Sequence, residues 1–245
     1  MYEIRNIIKI QKRMMNLCSS FLIKIKDYVF PVYCLNCKKE GNWLCEKCFT
    51  KLDLSGVYCC PVCHKNTEQG EYCLSCKIGL PLDSHIAITI YKEDSLVGDV
   101  IHTLKYSWAE DVSEVFEKMI DKFVDNNKNL FVDIDFVVPI PLHKKRLAER
   151  GFNQAELIAK IIGKKLDKPM KDILDRSRQT KQQAKLKREE RIENLKDAFI
   201  RKEKIEGNIL LIDDVFTTGS TMQEGAKALK KGGVDKIIGF SIARG

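Results

Sequence analysis

The stretch that most constrains this chain is Ile209-Leu-Leu-Ile-Asp-Asp-Val-Phe-Thr-Thr-Gly-Ser-Thr221. Its four leading apolar residues, Ile209 to Ile212, predict a strand buried on both faces. Asp213 and Asp214 are expected at the strand's C-terminal edge, followed by a loop of Thr217, Thr218, Gly219, Ser220 and Thr221. A helical pattern then runs from Met222 to Lys230. Ligands of open α/β sheets bind where strands end and helices begin. A turn rich in Gly, Ser and Thr there can surround a phosphate with backbone N–H groups and hydroxyls, helped by the helix N-terminus. Carboxylates beside a phosphate repel it, so the two acids imply another task on the same ligand: sugar hydroxyls, or water on a metal ion. Neither G-x-x-x-x-G-K-[ST] nor G-x-G-x-x-G occurs in the chain.

The stretch resembles the phosphoribosyl diphosphate (PRPP) signature of type I phosphoribosyltransferases. The resemblance implies that Asp213 and Asp214 are the catalytic acids and bind the ribose hydroxyls. It likewise implies that the loop Val215, Phe216, Thr217, Thr218, Gly219, Ser220 and Thr221 wraps the 5-phosphate.

Ten cysteines are the other strong signal, and eight form four C-x-x-C pairs. These are Cys34 with Cys37, Cys45 with Cys48, Cys60 with Cys63, and Cys73 with Cys76. Two thiolates two residues apart reach one tetrahedral Zn²⁺ from a tight turn, and two such turns complete a site. Two structural zincs follow, in a double zinc ribbon. Sequential pairing is preferred, with crossed pairing left open by the spacing. A site closed by four thiolates has no position for water or substrate, so no catalysis is expected there. The N-terminus lacks the pattern of a signal peptide and no apolar run is long enough to span a membrane. A cytoplasmic metalloprotein is therefore expected rather than a disulfide scaffold. Eight thiolates and two Zn²⁺ would bring the formal net charge of +8 down to +4.

Three segments are expected along the chain. Residues 1–30 carry a basic amphipathic helical pattern, with Cys18 inside it; packing on the protein's own zinc module is the preferred role, and docking on a partner or membrane surface the alternative. The ribbons occupy 31–79, where Cys59 is spare and His64 is a solvated residue by default, with a role as substitute metal ligand the alternative. An α/β domain, mostly parallel sheet flanked by helices, fills 80–245. Its first strand, Ser84 to Tyr91, alternates His85, Ala87 and Thr89 against Ile86, Ile88 and Ile90. Helical faces follow at Leu96–Leu104 and Val112–Phe123. A buried strand from Ile134 to Val138 ends in Pro139-Ile-Pro-Leu142, where proline stiffens the loop. Beyond it lie His143, Lys144, Lys145, Arg146, Arg150 and a helix from about Ala155 to Leu166. Seven cations face two acids between 176 and 191, too polar for a core, which suggests a loop closing over an active site. Lys236 to Ile242 supplies the last strand.

Several of these stretches together resemble the ComF proteins. They are the cysteine pairs, Leu104-Lys105-Tyr106, Arg150-Gly-Phe-Asn-Gln154, Arg176 with Thr180 and Gln183, Arg191 with Asn194, Phe199, and the Asp213-Asp214 loop. The resemblance covers roughly residues 28–245. It implies a type I phosphoribosyltransferase fold linked to natural transformation, in which single-stranded DNA is handled on the cytoplasmic side. The competence DNA-uptake machinery at the inner membrane is an implied partner. Residues implied at the pyrophosphate of Mg²⁺-bound PRPP are Pro139, Ile140, Pro141, Arg150, Asn153, Gln154, Arg176, Thr180, Gln183 and Arg191, with Lys105 a further site residue. Candidate contacts to DNA phosphates are Lys144, Lys145, Arg146, Arg178, Lys181, Lys185, Lys187 and Arg188. Tyr33, Trp43, Phe49, Tyr58 and Tyr72 could act as stacking platforms, although core packing is their default role.

In a reaction, Mg²⁺ would neutralise the pyrophosphate. The acids would stabilise an oxocarbenium-like transition state, a role that suits them better than general base. Two other functions fit the same residues: a nucleobase or amine salvage phosphoribosyltransferase with a zinc appendage, and a non-catalytic PRPP sensor.

Overall fold

A computed structural model describes residues 31–106, 110–177 and 198–245. The expectations for residues 1–30 lie outside this range. So do Thr180, Gln183, Arg191 and the cations Arg178, Lys181, Lys185, Lys187 and Arg188. The chain forms two compact units, one ending at Lys51 and one spanning Leu52–Gly245.

The larger unit is built on a four-stranded, all-parallel sheet ordered β1-β6-β5-β2. The strands are β1 (Ser84–Ile90), β2 (Phe136–Pro139), β5 (Gly207–Phe216) and β6 (Val234–Arg244). β3 (Leu174–Arg176) and β4 (Phe199–Arg201) make a separate antiparallel pair. Among the described residues of this unit five α-helices occur: α1 (Leu96–Tyr106), α2 (Ser113–Asn126), α3 (Lys144–Arg150), α4 (Gln154–Leu166) and α5 (Ser220–Lys230).

β5 is the apolar run anticipated from the sequence, and it is sealed on both sides. Ile209 and Leu211 join a core with Met222, Ala226 and Leu229 of α5. Alternation turns Leu210 and Ile212 to the other face. There α4 packs on β2 and β5, and Phe240 of β6 meets Phe123 of α2 at 6.1 Å between centroids. The strand continues through Asp213 and Asp214 to Phe216, because β6 pairs with it as far as Arg244. The acids therefore sit within paired strand rather than beyond its end. Proline is tolerated at Pro139 because β2 is an edge strand and Pro139 its last residue.

β1 departs from the simple reading of its alternation. Ser84 to Thr89 are buried on both faces, His85 and Thr89 included. Its inner edge pairs with β6, while chain from the second ribbon covers its outer edge. Val57 N donates to Ala87 O, Gly56 N to Ile88 O, and His85 N to Gly70 O, at 2.9, 3.1 and 2.9 Å. His85 finds a partner inside: its Nε2 lies 3.0 Å from Ser241 Oγ, which itself donates to Ala243 O. That network makes Nε2 the protonated nitrogen.

The aromatic contacts of Phe123 with Phe131 and Phe240 span the interface of α2 with the sheet. Phe123→Ala should cost about 3–5 kcal/mol by the usual penalty for a buried aromatic truncation, read as a lowered denaturation midpoint. A loss under about 1 kcal/mol would mean that this layer is not close-packed.

Candidate functional site

Parallel strands place their C-terminal ends on one side of the sheet, and a cavity of about 400 Å³ opens there. Its walls come from Tyr91 and Glu93 after β1, Lys105 near the end of α1, and Ile140 and Leu142 after β2. Arg146, Arg150, Asn153, Gln154, Arg176, Asp213, Asp214, Thr217 and Thr221 complete it. A smaller recess is enclosed by Asp213 and Val215 to Met222.

An acid pair lines the cavity. Asp213 Oδ1 accepts from Asp214 N at 2.9 Å and Asp214 Oδ1 from Val215 N at 2.8 Å, so each carboxylate folds onto the following backbone. Lys105 Nζ stands 2.6 Å from Asp214 Oδ2. Burial alone would lower the Lys105 ammonium, but Asp214, by charge and hydrogen bond, and then Asp213 hold it above its ordinary value. Burial, joined by the Asp214 charge, pushes the Asp213 carboxyl up to about 8, against the pull of Asp214 N–H and Lys105. A carboxyl so placed can hold a proton near neutrality, as a proton-transfer group does, and nothing in the local pattern around Asp213 signals this.

Arg146, Arg150 and Arg176 also line the cavity. The Gly-Phe-Asn-Gln segment works as a hinge between helices. Gly151 ends α3 with φ +82°, and Asn153 caps α4 by accepting from Ala155 N at 3.1 Å. Asn153 Nδ2 also donates to Ile140 O at 3.0 Å, which fixes the proline loop. Arg150 Nη1 donates to Gln154 Oε1 at 2.9 Å. Gln154 is only 2% exposed, and its Nε2 has no protein partner, leaving a buried donor on the cavity wall. Burial and then the charge of Arg146 lower the Arg176 guanidinium to about 10, while Asp213 opposes the shift.

The loop after β5 encloses the smaller recess. Gly219 has φ +74°, and a Cβ there would come 2.5 Å from the Phe216 ring. Thr218 and Ser220 share a hydroxyl–hydroxyl contact of 2.9 Å, and Gln223 N starts α5 by donating to Gly219 O.

The structure thus brings together Asp213, Asp214, Lys105, Ile140, Arg150, Asn153, Gln154, Arg176, Thr217 and Thr221 on the larger cavity. Thr218, Gly219 and Ser220 line the smaller recess. Pro139 and Pro141 shape the neighbouring loop without lining the cavity, and Lys144 and Lys145 are exposed outside it. Arg146, read as a DNA contact, is a cavity-wall residue. Tyr91, Glu93 and Leu142 were missed, and the signal available for them was their place at strand C-termini. Of the proposed aromatic platforms, Phe49 and Tyr72 are buried by packing, whereas Tyr33 is 47% exposed.

Two four-thiol clusters are present: Cys34, Cys37, Cys45 and Cys48 in the smaller unit, and Cys60, Cys63, Cys73 and Cys76 in the larger. Sequential pairing is the arrangement found, with the sulfurs of each cluster within 4.8 Å of one another. Cys37 and Cys45 Sγ are 3.6 Å apart, Cys63 and Cys73 Sγ 3.5 Å. Four sulfurs about 2.3 Å from one zinc lie about 3.8 Å apart, so the donors fit the metal. Asn36 Nδ2 donates to Cys48 Sγ at 3.1 Å, and Ser75 Oγ lies 3.3 Å from Cys73 Sγ, as outer supports of a thiolate site do. The two knuckles repeat each other: Lys38 and His64, each directly after a second cysteine, both take φ near +60°. Cys59 is buried and outside both clusters.

A double zinc ribbon domain family matches residues 25–77 and a phosphoribosyl transferase domain family matches residues 150–244. The fold and the site therefore define a phosphoribosyltransferase-type α/β protein carrying a double zinc ribbon. The chain is 30% identical to competence protein ComFC of Bacillus subtilis, over 84% of this chain and 86% of that one. It is 31% identical to competence protein ComFC of Streptococcus pneumoniae, over 84% and 90%. With DNA utilization protein YhgH of Escherichia coli K12 the identity is 27%, over 82% and 96%. The chain belongs to the ComF family of competence-related, phosphoribosyltransferase-like proteins. Among the described residues, no helix is long and apolar enough to cross a membrane.

Elemental analysis should return about two zincs per chain, falling to about one in a Cys63→Ser, Cys76→Ser variant. Iron, or disulfides without metal, would exclude this assignment.

A carboxyl whose folded value is raised stabilises the fold while protonated. That contribution is present below the unfolded value of about 4 and lost as pH rises to about 8. Asp213→Asn should therefore raise the ligand-free melting temperature relative to wild type progressively between pH 5 and 9. Parallel melting curves for the two proteins would show that Asp213 carries no such shift.

Proposed function

We propose that this chain binds PRPP with Mg²⁺ and acts in natural transformation by handling incoming single-stranded DNA in the cytoplasm. The observation that carries the reading is the lining of one cavity: an acid pair, arginines 146, 150 and 176, and hydroxyls of Thr217 and Thr221 meet there. PRPP has matching parts, with ribose hydroxyls for the acids, a pyrophosphate for the cations and a 5-phosphate for Thr217 to Thr221. Oxygen donors of Asp213 and of the ligand suit a hard cation, while Asp214 is engaged by Lys105. Magnesium would supply charge neutralisation of the leaving pyrophosphate. Arg150 and Gln154 would orient that group, and the buried Nε2 of Gln154 would gain the partner it lacks within the protein.

The DNA part of the reading rests on the relatives named for competence and DNA utilization, and on the basic face of α3, where Lys144 and Lys145 are exposed. Arg178, Lys181, Lys185, Lys187 and Arg188 are further candidate contacts to DNA phosphates on the sequence alone. A second reading, a salvage phosphoribosyltransferase, is favoured by the raised Asp213 carboxyl, a group suited to passing a proton to or from an acceptor nitrogen.

One preparation tests both. Asp213→Asn with Asp214→Asn should weaken Mg-PRPP binding at least tenfold by calorimetry while leaving the circular dichroism unchanged. An unaltered Kd would make the motif vestigial. Single-strand affinity should fall with salt at a log–log slope of roughly −3 to −4, for four to six phosphate contacts at about −0.7 each. A slope near zero, with pyrophosphate released in the presence of a small acceptor, would favour the salvage enzyme instead.

A further inference from the structure

The second ribbon is tied to the phosphate loop at two points. Arg244, at the end of β6, is buried and bidentate: Nη1 donates to Cys59 O and Nη2 to Cys60 O, both at 2.9 Å. Its guanidinium carbon stands 5.3 Å from the centroid of Phe216, whose ring stacks on His85 at 3.8 Å. Gly219 lies so close to that ring that it cannot carry a side chain without moving it. The second tie starts beside another ligand of the cluster. The Tyr72 hydroxyl, next to Cys73, accepts from Gln223 Nε2, and Gln223 N is bonded to Gly219 O at 2.9 Å. Cys60 and Cys73 thus each stand beside a strut, and both struts end on the turn formed by residues 216–219.

A planar guanidinium fork fixes two carbonyls and its own ring contact at once. The carbonyls it holds belong to the knuckle that the metal would close. We propose that the second ribbon sets the shape of the phosphate loop. Zinc at Cys60, Cys63, Cys73 and Cys76 and PRPP at Thr217 to Thr221 then strengthen each other's binding, with Arg244 and the Tyr72–Gln223 pair as positioning residues. The ligand half of this proposal rests on the PRPP reading above. Coupling between two ligands is reciprocal, so the factor by which zinc tightens PRPP equals the factor by which PRPP tightens zinc.

The test uses the full chain and three readouts. In the first, amide hydrogen exchange of residues 216–221 should speed up at least tenfold when a chelator removes zinc. In the second, Arg244→Lys keeps the charge but loses the fork. It should speed one phase of chelator-driven zinc release and raise the PRPP Kd about tenfold, a typical size for coupled sites. Tyr72→Phe, which removes only a hydroxyl, should act in the same direction more weakly. In the third, saturating Mg-PRPP should tighten zinc in that same phase about tenfold in the wild type, and by less than twofold in Arg244→Lys. A merely structural Arg244 would not abolish that difference. Unchanged exchange on zinc removal would overturn the proposal. So would PRPP that binds normally yet leaves zinc affinity unaltered, in which case the PRPP reading survives. If exchange speeds up but no PRPP binds to the wild type, the linkage and the PRPP reading fall together.

Discussion

Asp213 and Asp214 stand on a strand otherwise sealed between two apolar layers, and the cost of burying charge shapes their surroundings. Two neighbouring carboxylates cannot both stay ionised cheaply in such a place. The fold answers in two ways. Lys105 reaches in from α1 to hold Asp214 as an ion pair, while the Asp213 carboxyl moves toward its neutral form. Arg146, Arg150 and Arg176 line the same cavity, and the charge of Asp213 is felt at Arg176. A ligand with phosphates at both ends and hydroxyls between them has a partner for each of these groups.

What was legible in advance follows from how local each signal is. The Ile209–Ile212 run, the acids and the Thr-rich turn are contiguous, so the chemistry and the element carrying it could be read together. The cysteine pairs were equally local. Alternation in β1 was not a safe guide, because it marks one wet face only when a face is wet. Here the interior supplies a partner for His85 Nε2 and a cover for the outer edge. Tyr91 and Glu93 left no pattern of their own, since their part in the site comes from where β1 ends.

Residue roles that depend on distant neighbours were the least accessible. Lys105 entered through resemblance alone, and its pairing with Asp214 joins positions more than a hundred residues apart. Arg146 was correctly seen as a cation, but its direction into the cavity is set by the proline loop and the cap at Asn153. Arg244 gave no signal at all: a lone arginine near a C-terminus reads as solvated, and only the docked ribbon supplies the carbonyls that make it an interior residue. The left-handed backbone at Lys38 and His64 was hidden for the opposite reason. Glycine usually announces such a turn, and both knuckles adopt it without one.

The cover over β1 gives the second ribbon a further consequence. A parallel sheet must end somewhere, and a bare outer strand offers a row of unpaired N–H and C=O groups to any other chain in extended form. Residues 56, 57 and 70 occupy that row on β1. Those residues follow no regular strand of their own, so their placement leans on the nearby knuckle. The metal-binding segment is thus also a guard against self-association. A chain deprived of its metal would present newly exposed strand edge to its neighbours, and its first symptom would be stickiness.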